Sequence, residues 1–107
     1  MNDIEKGKTT AIVAYITIIG SIVAIFMNQE ENKSEFASFH IRQALGISLT
    51  YFLLGYFIGY FDSWMVSSAF WLFIFILWIY GFVGCLSDDK RTVPLVGEFY
   101  QKLFKNL

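Results

Sequence analysis

His40, Arg42 and Gln43 fall within four consecutive positions, at the start of a segment that is otherwise almost wholly apolar. A histidine can exchange protons near neutral pH. An arginine fork can hold a phosphate or a carboxylate. A glutamine amide offers two donors and an acceptor to whatever lies beside it. These three residues are therefore candidates for an interfacial or partner-binding site. Catalysis asks for more partners than the chain supplies. It has one histidine and one cysteine, Cys85, which cannot make a metal-ligand set of the usual spacing or an internal disulfide. No carboxylate falls inside a long apolar run, where proton-coupled carriers keep theirs. Neither a Gly-rich phosphate loop nor a nucleophile elbow is present. A protein without enzymatic activity, cofactor or metal is expected.

The elements that must position these residues are set by hydropathy. Hydrophobic residues make up 56% of the 107 positions and charged residues 16%, against about 45–50% and about 25% in soluble domains. Between Lys8 and Glu30 lie 21 residues without a formal charge, between Arg42 and Asp62 lie 19, and between Asp62 and Asp88 lie 25. About 20 apolar residues cross a hydrocarbon core of about 30 Å as a helix. Too little polar sequence remains to coat three such runs in water. An all-α integral membrane protein is expected, a single domain over 1–107 with three transmembrane helices at about 9–27, 41–61 and 64–86. The first run is too long for a signal peptide and no small-x-small cleavage site follows it. A net charge of −1 gives no basic surface for nucleic acid.

Between the runs, Asn32 and Glu35 have the spacing of a capping box, opening the second helix from about Ser34. "FDSW" is short enough to be a hairpin turn. In the tail, Leu95, Phe99, Leu103 and Leu107 recur every four residues, with Glu98, Gln101, Lys102 and Lys105 opposite them. This predicts an amphipathic interfacial helix over about 94–106, with Pro94 in its first turn, lying among lipid headgroups.

Two stripes suggest how the spans associate. Thr10, Ala14, Thr17, Ser21, Ala24 and Asn28 repeat at intervals of 4, 3, 4, 3 and 4, and all are small or polar. Ala44, Ser48, Gly55 and Gly59 follow His40 along one face of the second span, the glycines in GxxxG spacing. Leucine against leucine gains little in lipid. Close backbone approach and interhelical hydrogen bonds, at about 0.6 kcal/mol each, must drive association. Both stripes are expected to be helix-packing interfaces, toward each other within the chain, toward a second copy or toward a different membrane protein. Arg42 would anchor the second helix at the interface by lifting its guanidinium to phosphates. On the positive-inside rule, six Lys and Arg in the first loop, second-helix mouth and tail outweigh two near the N-terminus. That predicts a membrane protein with its C-terminus cytoplasmic and its N-terminus outside.

The stretches "KTTAIVAYITIIGSIVAIFMN", "SEFASFHIRQALGI" and "CLSDDKRTVPLVGEFY" together resemble small bacterial membrane proteins grouped with the twenty-kilodalton component of the chloroplast inner-envelope import translocon (Tic). Phe39, His40, Arg42, Gln43 and Ala44 carry the most specific part of the match. The resemblance implies an all-helical protein of a bacterial cytoplasmic (inner) membrane, linked to protein translocation or to a larger complex. The expected function is an accessory or structural subunit of such a complex. A homo-oligomeric channel or import-type component is the alternative. Membrane lipids and another membrane protein are the expected partners.

Overall fold

The computed structural model describes residues 2–29 and 33–107. Its helices are α1 (Asp3–Ile16), α2 (Ile18–Met27), α3 (Glu35–Ile58, prolonged by a 3-10 turn over Gly59–Phe61), α4 (Trp64–Leu86) and α5 (Gly97–Leu103), with no strand among the described residues. Asn32 of the expected capping box lies outside them. The cap observed on α3 is Ser34, whose hydroxyl accepts from Ala37 N–H.

Two elements, α3 with its 3-10 turn and α4, are long and apolar enough to cross a membrane. The 24 residues of α3 rise about 36 Å, enough for a hydrocarbon core of about 30 Å. Only 17% and 33% of the most apolar windows of these two helices are buried, so they are not the covered core of a water-soluble fold. Leu53, Phe57, Trp64, Met65 and Leu72 are all more than half exposed, and so continuous an apolar surface belongs in lipid. The protein is membrane-associated. Between α3 and α4 the chain reverses at Asp62, which takes a left-handed conformation (φ 45°) that aspartate tolerates better than most residues. Ser63 then caps α4 by accepting from Val66 N–H.

The expected third span, over 9–27, is not a continuous helix. The chain breaks at Thr17, which is fully extended (φ −155°, ψ 177°), and α2 folds back along α1. The break is held by side chains that satisfy the backbone groups it frees. Thr17 Oγ1 accepts from Gly20 N–H, Ser21 Oγ donates to Ala14 O at 2.7 Å, and Trp78 Nε1 donates to Tyr15 O at 2.7 Å. Irregular backbone at membrane depth is tolerated only with such protein partners or beside water. The run Ile16–Thr17–Ile18–Ile19 is β-branched throughout, which weakens helix propensity where the chain must turn. At about 21 Å and about 15 Å the two arms are each too short to cross.

The folded-back hairpin reverses the expected placement of the N-terminus. Asp3 carboxylate oxygens accept from Glu35 N–H and Phe36 N–H, both at 2.9 Å, so the start of α1 caps the start of α3. Asn28, at the end of α2, accepts from Ser34 N–H and donates to Ser38 Oγ. Lys8 donates to Leu86 O and pairs with Asp88 at the far end of α4. The start of α1, the end of α2, the start of α3 and the end of α4 therefore share one end of the molecule. The separation of six basic residues from two is replaced by all eight at one end, with Asp62 as the one charge at the other among the described residues.

Burial pushes the Asp3 carboxyl up, but the Phe36 and Glu35 amides, the Ser34 hydroxyl and nearby Lys90 outweigh it and hold the pKa below 3.8. A depressed carboxyl stabilises the fold above its unfolded-state pKa and ceases to do so as pH falls through the folded value. We expect Asp3→Asn to cost about 1 kcal/mol at neutral pH, with the gap to wild type closing below pH 3.8. Unfolding in detergent across that range measures it.

The tail helix is shorter than 94–106. Leu95 takes a positive φ of 71°, which interrupts the helical path, and α5 begins at Gly97. Tyr100 is buried on α3, where a Cβ on Gly46 would lie 2.2 Å from its ring. The absence of a side chain at Gly46 is what lets α5 dock. Leu95, Phe99 and Leu103 remain exposed on its other side.

Candidate functional site

The expected site residues converge at the charged end, beneath the segment that leaves α4. His40 and Gln43 lie one turn apart on α3 and are completely buried. Tyr15 reaches them from α1. His40 Nε2 lies 2.8 Å from Asp89 O, which can only accept, so that nitrogen carries the hydrogen. Nδ1 is then the acceptor for the Tyr15 hydroxyl at 2.6 Å. Tyr15 Oη in turn accepts from Gln43 Nε2 at 3.0 Å. The same amide donates to Arg91 O and its oxygen accepts from Val93 N–H at 2.9 Å. The rings of Tyr15, Phe36 and Phe39 meet the imidazole edge-on, with centroids 4.7–5.4 Å away.

Every polar atom of this cluster is engaged. A second proton on His40 would remove the acceptor used by Tyr15, and would place a charge among aromatic rings. The arrangement ties residues 89–93 across the mouth between α1, α3 and α4. It leaves no free base or nucleophile beside an open space, so its chemistry is that of a clamp.

Arg42 lies apart from this clamp. It faces α5, donating to Gln101 Oε1 at 3.4 Å and to Lys105 O at 3.2 Å. Its Nε is buried with no hydrogen-bond partner among the described residues. His40, Arg42 and Gln43 are thus neighbours on one helix but belong to two separate environments.

The stripe residues are distributed unevenly. Thr10, Ala14, Ser21, Ala24, Asn28 and Ala44 are buried, and Ser48 and Gly55 are half-buried. Thr17 and Gly59 are exposed, and a Cβ at Gly59 would meet nothing within 4 Å. The tip of the α1–α2 hairpin opens on a cavity of about 350 Å³ between α3 and α4, lined by Thr17, Ser48, Tyr51, Trp71 and Phe75 among others. Beyond that depth α3 and α4 have only each other. Asp3, Tyr15, Trp78 and Val93 were not sequence candidates. Tyr15 is one tyrosine in an apolar run and Val93 contributes a backbone amide, so neither carries a local signal.

Among the described residues no three His, Cys, Asp or Glu side chains cluster as a metal site. A family model described as the magnetosome magnetite crystal formation protein family matches residues 6–99. That match overturns the resemblance to the chloroplast import component, and protein translocation goes with it. The motif "FASFHIRQALGI", which suggested an import protein, encodes the clamp just described. No curated protein and no solved structure matches the chain.

Proposed function

This chain belongs to the magnetosome magnetite crystal formation protein family, and we propose that it contributes to crystal formation as a non-enzymatic structural subunit of a membrane assembly. The observation that carries this reading is the contrast between its two ends. At the charged end Asp3, Tyr15, His40, Arg42 and Gln43 hold α1, α3, α4 and α5 together. At the other end Phe52–Phe61 and Trp64–Leu72 form a bare two-helix hairpin with large, mostly exposed side chains, available to a neighbour in the bilayer. Small residues on such a face, Gly55 and Gly59, permit close approach of another helix. Bringing all eight Lys and Arg to one end favours that end, with both termini, in the cytoplasm. The domain is read as one helical membrane unit over 1–107.

A photoreactive probe on Gly59→Cys, in a Cys85→Ala background and native membranes, tests the reading. Discrete protein adducts are expected, at twice the chain mass of 12.4 kDa if the neighbour is another copy and at other masses if it is a different protein. Labelling confined to lipid contradicts it.

A further inference from the structure

We infer that the pocket between Lys33, Arg42 and Lys90 binds a phosphate group. The pocket has a volume of about 320 Å³ and is lined by Lys33, Glu35, Ser38, Phe39, Arg42 and Lys90. Among the described residues that line it, three cations face one carboxylate, which makes it an anion site by charge. It lies at the mouth of the longest helix, where headgroup phosphates sit in a bilayer, and it is not part of the His40–Gln43 clamp.

Arg42 supplies the more specific argument. A guanidinium has five N–H donors in a fixed fork. The protein uses an Nη1 and an Nη2 donor, toward Gln101 and Lys105. The Nε donor is buried and unused. A buried donor without a partner is costly, by about 1–3 kcal/mol, and a turn of the guanidinium toward the pocket would let an anion's oxygen reach it and remove that cost. Two phosphate oxygens can take the Nε–H and a neighbouring Nη–H side by side, a match that a lysine cannot make. Lys33 and Lys90 take part in no ion pair among the described residues, whereas Lys8 and Arg91 are paired with Asp88 and Asp89. Lys33 and Lys90 are therefore pocket cations that make no ion pair among the described residues, while Arg42 lines the pocket and also holds the tail.

Two sources present the same chemistry: the headgroup of an anionic lipid and free phosphate. Phe39 in the wall, and the exposed Phe99 and Leu103 of neighbouring α5, suit an acyl chain below the headgroup. The inference rests on the membrane placement and not on the assembly role, so either can fail alone.

The test is calorimetric titration of the full chain in mild detergent with three probes: short-chain phosphatidylglycerol, short-chain phosphatidylcholine and inorganic phosphate. K33Q/K90Q is the variant to compare, since neither lysine contacts α5 through the hydrogen bonds that Arg42 makes. Wild type is expected to bind phosphatidylglycerol in preference to phosphatidylcholine. The double variant should bind it about 25-fold more weakly, about fivefold for each lysine, with no more than the small fall in unfolding midpoint that losing Lys90 near Asp3 brings. Phosphatidylglycerol binding without inorganic phosphate binding identifies the lipid headgroup. Inorganic phosphate binding that falls with the same substitutions identifies free phosphate. Equal affinity for both lipids with no phosphate binding, or affinities that the double variant leaves unchanged, overturns the inference.

Discussion

Gln43→Leu is expected to release the segment 89–93 from the helices and to cost about 3 kcal/mol. The substitution keeps volume and apolar contact but removes one acceptor and two donated bonds. Val93 N–H and Arg91 O lose their partner, and Tyr15 Oη loses the donor that complements its bond to His40. Buried orphaned groups, not the lost bonds alone, set the size of the effect. Cys85 reports it without further labels. Its side chain is completely buried, on the last turn of α4, and the adjoining segment runs straight into the clamp. If opening of that segment exposes the thiol, labelling by a maleimide in detergent rises by roughly a hundredfold, the ratio that about 3 kcal/mol implies. An unchanged rate would show that Gln43 does not hold the segment.

Gly20→Ala gives the second large effect, and its sign separates two folds. In one straight helix over 9–27, alanine would stabilise by about 1 kcal/mol relative to glycine. In the hairpin a Cβ at position 20 lies 2.2 Å from Val13 O, a backbone atom that cannot step aside without parting the two arms. A loss of about 2 kcal/mol or more is expected. Gly59→Ala serves as the control, because nothing lies within 4 Å of a Cβ there. It is expected to be neutral or slightly stabilising. Equilibrium unfolding of the three proteins in one detergent decides between the folds.

The hairpin is where reading the chain stopped short of the structure. The α3–α4 pair was legible because charge is absent on both sides of Asp62 and four residues cannot form anything but a turn. The first apolar run is equally free of charge and nearly the same length, so hydropathy alone made it a third span. The signal that distinguishes it is local. Thr17, followed three residues later by Gly20, is a hydroxyl cap beside a residue that permits close approach, set in a β-branched run. The same Thr17 also fits a repeat of small residues, and that periodicity hid the break. Folding back brings Ser21 to Ala14 O, so the small residues serve contacts between the two arms and with α3.

At the mouth of α3 the residue types were informative and their partners were not. His40 and Gln43 are polar residues where burial demands partners, but those partners are a tyrosine on α1 and backbone groups beyond residue 88. Distances of that kind are set by how the hairpin docks. An error in the first element therefore carried over into the placement of the N-terminus. The tail periodicity located α5, while the backbone at Leu95 fixed where it begins.

The first apolar run either returns to the end from which it starts or crosses the membrane once. Single cysteines at Glu5 and Lys105, each in a Cys85→Ala background, can be labelled in sealed vesicles of known orientation with a membrane-impermeant maleimide. Both positions are predicted to react from the same side of the membrane. Reaction of Glu5→Cys from one side and Lys105→Cys from the other would mean that the run crosses once, and would contradict the hairpin and the single charged end built on it.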